Sequence, residues 1–299
     1  MSMTTVNASD LILPTLANMA LGKLIDGLKF VSNTTLWPNP IAGQNANTWY
    51  VPKISGGSMK TRAPGGPVIF EDRTAERVQI PTAQYYDAFT VDESFEASKA
   101  IQYFEPFLET AVNTILEGIE TQAMLDIANA SGISALGTNG VAVTRAVLAT
   151  ARKAFVNNKI PRARLMGLIS AETNEDISAI AEFSRMDASG DVGASVQREG
   201  VVRKAMGFNL EESPYVPSLV ASSHRNLLFD PGSIMHIFPA QSTAARPGQT
   251  KVEASRDGFR LYLLRENTFG QNGGEAYTVS CNFGIAPVRT EGLIHLNGK

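Results

Sequence analysis

The chain has one cysteine, Cys281, in 299 residues. It can close no internal disulfide and build no thiolate zinc cluster, so its fold rests on neither oxidation nor a cysteine-held metal. Histidine is nearly as scarce: His224, His236 and His295 are far apart and outside any HExxH spacing, which removes the common zinc-hydrolase arrangements. His236 sits in the apolar run SIMHIFP and reads as a hydrogen-bonded core or interface histidine. No GxSxG elbow and no Walker lysine motif occurs. The glycine-rich stretches at 137–140 and 270–274 lack the strand–loop–helix spacing of a phosphate cradle and read as turns. Positive charge is not in excess either. Against 29 Asp and Glu there are 26 Lys and Arg, a net charge of −3, which argues against a dedicated DNA- or RNA-binding protein.

Charged residues make up 18% of the chain, where roughly 25% is usual for soluble domains. With 25 glycines and 15 prolines, such a surface suits a loop-rich chain or one that faces other protein. Asp10 and the lack of any Lys or Arg before Lys23 leave a secretory signal without its positive start. The longest uncharged apolar stretch there, Leu11 to Gly22, falls short of the ~20 residues a membrane span needs. A soluble, intracellularly made protein without cofactor, metal or membrane attachment is expected.

Apolar periodicity organises the rest. Pro14 can open a helix, after which Leu16, Leu21, Leu24, Ile25 and Leu28 form one stripe. From Thr48 to Val91 the pattern is extended, out through TWYVPKI, around SGGSMKTRAPGGP, and back from Glu76 to Val91. A return limb of that length reaches roughly 50 Å at ~3.3 Å per residue. A lone two-stranded ribbon is marginal in water, so this one is expected to project and pack on another subunit. Thr90 and Glu93 stand at capping-box spacing for a short helix through Gln102. Glu105-Pro106 then opens a long helix to Ala130, with Leu108, Val112, Ile115, Ile119 and Ala123 on one face. Glu105, Glu109, Glu117 and Glu120 read as its solvated face. Further helices are expected after Thr144 and Ser170, with LMGLIS as a buried strand between them. Short strands dominate from Gly200 onward. The fold class is α+β.

The order of amphipathic N-arm, long hairpin, long helix, helix–strand–helix and late strands resembles the major capsid proteins of tailed bacteriophages. The segments EGVVRKAMGFNLEESPYVP, NLLFDPGSIMHIF, KVEASRDGF and CNFGIAPVRTEGLIHL are similar to successive stretches of that family. The resemblance implies a tailed-phage capsid fold divided as N-terminal arm 1–47, extended hairpin loop 48–91, peripheral domain with a spine helix 92–186, axial domain 187–250 and returning peripheral strands 251–299. It implies a virion subunit, assembled in the host cytoplasm, that forms the pentamers and hexamers of an icosahedral shell. The shell would enclose double-stranded DNA without sequence-specific binding, and its partners would be further copies and scaffolding, portal and decoration proteins. Candidate inter-subunit contacts are Lys60, Arg62, Glu71, Asp72, Arg73, Tyr85 and Tyr86. Some family members cross-link a loop lysine to a neighbour's asparagine. Lys60 matches the lysine, but the chain reads Ser255-Arg256-Asp257-Gly258-Phe259 at the asparagine position, which argues against covalent cross-linking. The alternatives are an encapsulin-like compartment, a tail or decoration component, and a soluble α+β enzyme.

Overall fold

The helical periodicities become α-helices in the computed structural model, which describes residues 8–37, 48–54, 59–62, 64–68, 70, 72–92, 101–180, 183, 202–220, 223–241, 248–268 and 274–299. In chain order the elements are α1 (Ala8–Gly27), β1 (Thr35–Leu36), β2 (Thr48–Ile54), β3 (Ala75–Pro81), β4 (Ala83–Asp92), α2 (Ile101–Ala128), β5 (Ser134–Leu136), α3 (Arg145–Asn157), β6 (Met166–Ile169), α4 (Ala171–Ser178), β7 (Lys204–Ala205), β8 (Phe208–Glu212), β9 (Ser218–Val220), β10 (Ser223–Phe229), β11 (Ile234–Ile237), β12 (Gln249–Arg256), β13 (Phe259–Thr268), β14 (Gly274–Pro287) and β15 (Leu293–Asn297). Leu16, Leu21, Leu24 and Leu28 of α1 are buried, as are Leu108, Val112, Ile115, Ile119 and Ala123 of α2. Both helices begin earlier than their prolines suggest, so Pro14 and Pro106 lie inside them. A proline within the first two turns forfeits only one intrahelical bond, and Leu13, one residue before Pro14, is already buried in the core. At ~1.5 Å per residue α2 is roughly 42 Å long.

Two sheets share the work of burial. The first has the order β1-β11-β14-β13-β12 with β4 also on β14, and the second the order β5-β15-β10-β6-β8-β7 with β9 on β10. One core holds α1, α2 and the inner face of the first sheet; the other holds α3, α4 and one face of the second sheet. The central strands of the second sheet serve both cores. Leu227 and Phe229 enter the first core while Leu228 enters the second, and Leu168 and Leu293 are divided in the same way from Ile169 and Ile294. Side chains alternate across a strand, so a strand buried on both faces needs an unbroken apolar run. This is the physical reason for NLLF and GLIHL.

The second sheet also caps α2. The Arg225 guanidinium donates to the Ala128 carbonyl at 2.5 Å, and His295 Nε2 lies 3.2 Å from the Ile127 carbonyl. These are terminal carbonyls with no partner inside the helix, and burial lowers the His295 pKa, keeping the ring neutral. Asn226 ties α4 to the strands, accepting from the Ser170 N–H at 2.6 Å and donating to the Leu296 carbonyl at 3.1 Å.

Several expectations change. Glu120 is not on a solvated face: it is fully buried and accepts from the Phe30 and Val31 backbone N–H groups at 3.1 and 3.3 Å. It thereby fixes the chain reversal after α1, and burial raises its pKa. The long return limb is two strands. β3 pairs with β2, but at Thr82 the chain changes partner and β4 runs along β14 from Ala83↔Phe283 to Asp92↔Gly274. The ribbon is therefore seven residues long, about 23 Å at ~3.3 Å per residue. β4 continues to Asp92, so Thr90 does not cap a helix; residues 93–100 lie outside the described residues. The cores are built from non-contiguous segments. The second draws on 143–177, 202–210, Leu228, Ile294 and Leu296, and β10 and β11 go to different sheets.

Replacing Glu120 by Ala strands two buried N–H donors, each costing ~1–3 kcal/mol. Glu120→Ala is expected to lower unfolding free energy by about 3 kcal/mol in urea titrations of unassembled subunit. Glu120→Gln, which keeps one acceptor oxygen, is expected to lose less than half of that.

Candidate subunit-interface surface

The ribbon has a root and a tip with opposite chemistry. At the root Trp49 pairs with Ile80 and Val51 with Val78, so their side chains share one face. That face lies on Ile237, Ala286 and Val288 of the body, with Trp37 and Met235 at its margin. Each buried aliphatic or aromatic group here contributes ~1.5–3 kcal/mol. One residue further out the apolar face ends: Pro52 stands opposite Arg77, and Lys53 opposite Glu76. Pro52 has no N–H to give the ladder, which suits a strand at the edge of a sheet. Lys53 reaches Glu291 of the body at 3.9 Å, a partly exposed pair of small energetic value. Close packing at the root depends on Gly284, where a Cβ would overlap the Pro81 carbonyl oxygen.

Beyond the root, large apolar side chains stand in solvent. Met59 is 94% exposed and Phe70 90%, with Val68 also more than half exposed; Tyr50, on the outer face of the root, and Tyr86, on β4 of the body, are exposed as well. Scattered exposed hydrophobes are ordinary, but a concentration of them on one projecting element marks an interaction surface. The same segment carries Lys53, Lys60, Arg62, Arg73 and Arg77 against Glu71, Asp72 and Glu76.

The sequence-derived contact candidates separate. Lys60, Arg62, Asp72 and Arg73 are exposed on the tip, and Arg62 donates to the Gly66 carbonyl, which braces the turn. Glu71 lies outside the described residues. Tyr86 is exposed, but Tyr85, its neighbour on β4, points the other way, against Phe283 and the protein's own core at a ring distance of 6.3 Å. Burial accordingly raises the Tyr85 pKa. Sequence reasoning missed Met59, Val68 and Phe70. The available signal was large apolar residues inside a Gly/Pro-rich turn, where nothing in their own segment can cover them.

The chemistry-bearing residues do not converge. His236 and His295 are buried in the core, while His224 contacts the Lys299 carbonyl at 3.1 Å and Glu172 at 3.6 Å. Cys281 is buried, and desolvation pushes its pKa up to about 12. Among the described residues no three His, Cys, Asp or Glu side chains are grouped to hold a metal, and no helix is long and apolar enough to cross a membrane.

No protein-family model matches the chain, and no curated protein sequence matches it. Solved structures do match. The capsid of the cyanophage P-SCSP1u covers 88% of this chain and 86% of its own, with TM-score 0.59 and 14% identity. The mature capsid of bacteriophage PhiM1 covers 90% and 86%, with TM-score 0.58 and 11% identity. The holo-SrpI encapsulin complex of Synechococcus elongatus covers 90% and 86%, with TM-score 0.54 and 12% identity. This is the tailed-phage capsid fold, which encapsulins share. In chain order the β2–β3 ribbon and α2 stand where the sequence reading expects the extended loop and the spine helix. The apolar tip thus belongs to an element that leaves the body of a capsid-fold subunit.

Root and tip are expected to respond differently to truncation. Trp49→Ala removes a buried aromatic and is expected to cost about 3 kcal/mol. Phe70→Ser touches nothing that the subunit itself buries and is expected to stay within about 0.5 kcal/mol of wild type. Urea denaturation of unassembled subunit separates the two.

Proposed function

We propose that this chain is the major capsid (head) protein of a tailed phage, a structural subunit that forms the pentamers and hexamers of an icosahedral shell around double-stranded DNA. The observation that carries the reading is the extended loop: a capsid-fold subunit presents Met59, Val68 and Phe70 to solvent on a ribbon whose root packs on the body. A further copy supplies the missing surface. Complementary charge supports this, since Glu109 and Glu117 are exposed on α2 and Asp126 partly so, on a helix without a single Lys or Arg, while the ribbon is richer in cations. Lys60, Arg62, Asp72, Arg73 and Tyr86 are the described contact residues in this reading, joined by Met59 and Phe70. Many weak contacts made together by arm, ribbon and body edges stabilise a closed shell that no single contact could hold.

In this reading the core around α1, α2 and the first sheet is the peripheral domain. The core around α3, α4 and the second sheet is the axial domain that clusters at the symmetry axes. The slight negative charge suits a container, because strong phosphate binding would impede packing and release of DNA. Assembly in the host cytoplasm, with separate scaffolding, portal and decoration proteins, completes the picture, and the chain acts by assembly rather than catalysis. An encapsulin-like compartment is the second reading, favoured by the match to the cyanobacterial encapsulin complex. The shell contents distinguish the two: nuclease-protected DNA for a phage head, a packaged protein for a compartment.

Ile54 faces Ala75 across the ribbon, so residues 55–74 can be replaced by Asn-Gly, a two-residue hairpin turn. The shortened protein is expected to be folded and soluble but unable to form shells in size exclusion and electron microscopy. Shells of normal size and yield would refute the role assigned to the loop.

A further inference from the structure

β11 is a wall between two packed regions. Ile234 and His236 face the main core, while Met235 and Ile237 face the ribbon root. Parallel to β11 lies β1, with Leu36 opposite His236, and the Trp37 N–H donates to the His236 carbonyl at 2.9 Å. His236 therefore stands where the N-terminal arm joins the sheet, directly behind the seat of the extended loop.

Its hydrogen bonding assigns the tautomer. Thr34 Oγ1 donates its one hydrogen to the Val31 carbonyl at 2.8 Å and lies 2.7 Å from His236 Nδ1. Nδ1 must then carry the proton and donate to Thr34. Nε2 is left as a bare, buried lone pair with no partner among the described residues. The ring is 1% exposed and is flanked by Phe238 and Phe259, with centroids at 5.9 and 5.7 Å. A proton added at Nε2 would meet no acceptor among the described residues.

We propose that His236 is a proton-operated latch: charging its ring loosens β11, and with it both the arm junction Thr34–Trp37 and the seat of the extended loop. The inference concerns the subunit alone and stands whether or not the shell reading does. Burial pushes the His236 pKa down from 6.5 to about 4. The open form, with an ordinary histidine pKa, binds more protons between those values. Closure is therefore complete above pH ~6.5 and weakens as pH falls toward 4, by up to ~300-fold in the open-to-closed ratio.

Among the described residues the elements packed directly on the ring present no charged side chain to it. Toward the ring, the arm presents Thr34 and Leu36, β14 presents Ile285 and β13 presents Phe259. Cys281 of β14 lies in the same core, and its raised pKa keeps it a thiol. Beyond Phe259, Arg256 pairs with Asp257 and Arg260 with Glu253. Glu120, at Phe30 and Val31, is the one other buried titratable group on the arm junction among the described residues. Its pKa is raised, so its protonation is favoured in the fold, and acid acts on it in the opposite sense.

Trp37 and Trp49 are the two tryptophans of the chain, and both pack at the ribbon root, so intrinsic emission reports this region. In the full-length protein, emission is expected to shift reversibly to the red as pH falls from 7 to 4. In His236→Phe the midpoint is expected to move down by at least about one pH unit, while Glu120→Gln keeps the red shift, with a midpoint unchanged or higher because the opposing titration is removed. No red shift in wild type, an unchanged midpoint in His236→Phe, or loss of the shift in Glu120→Gln would each overturn the latch. If His236→Phe does not fold, hydrogen exchange on wild type, corrected for intrinsic rates, decides. Residues 34–37 and 48–52 are expected to lose protection on acidification while 166–169 and 226–229 keep theirs, and equal or no loss across these segments overturns it.

Discussion

Strands β6, β10 and β15 are covered on both faces, and the subunit is organised around that burial. Leu227, Phe229, Leu168 and Leu293 belong to one core while Leu228, Ile169 and Ile294 belong to the other. A one-residue slip in register would exchange every partner on both sides at once. The sheet is therefore pinned in register more tightly than one with a wet face, and it transmits that order outward. Through Arg225 and His295 it holds the last carbonyls of α2, and α2 in turn fixes the arm reversal through Glu120. Sheet, long helix and arm root are thus links of one chain of hydrogen-bonded contacts, each closing valences that the previous element leaves open.

Elements with a strong period were legible in the residues. The stripes of α1 and α2 are buried at the positions the spacing indicates, and the α4 cap forms as expected, with the Thr173 N–H donating to Ser170 Oγ at 3.2 Å. The Thr144 side chain makes no capping bond, although the helix starts where expected. What could not be read was choice of partner. Nothing in TAQYYDAFTVD distinguishes a strand that continues a ribbon from one that leaves it for β14. Glu120 was hidden for a related reason: its acceptors serve backbone groups some ninety positions away, and helical spacing alone cannot show such a contact. Asp257-Gly258 joins β12 to β13. Both residues have positive φ, 52° and 86°, as a two-residue hairpin loop requires.

The candidate site was legible in outline only. Extended pattern and Gly/Pro-rich tip located the projecting element, and its charged residues were named. The residues most exposed on it, Met59 and Phe70, carry no chemistry that a motif search detects. Tyr85 and Tyr86 show how narrow the margin is, since alternation sends one into the core and the other into solvent.

Thr82 has a mechanical consequence. On one side of it the strand is bonded to β2, on the other to β14, and the Pro81 carbonyl rests against Gly284 with no side chain between them. A pull on the ribbon tip therefore acts as torque about a single peptide unit, with the ten-residue splice of β4 onto β14 as the anchored arm of the lever. Load gathered at the ribbon tip is delivered into β14, the longest of the described strands.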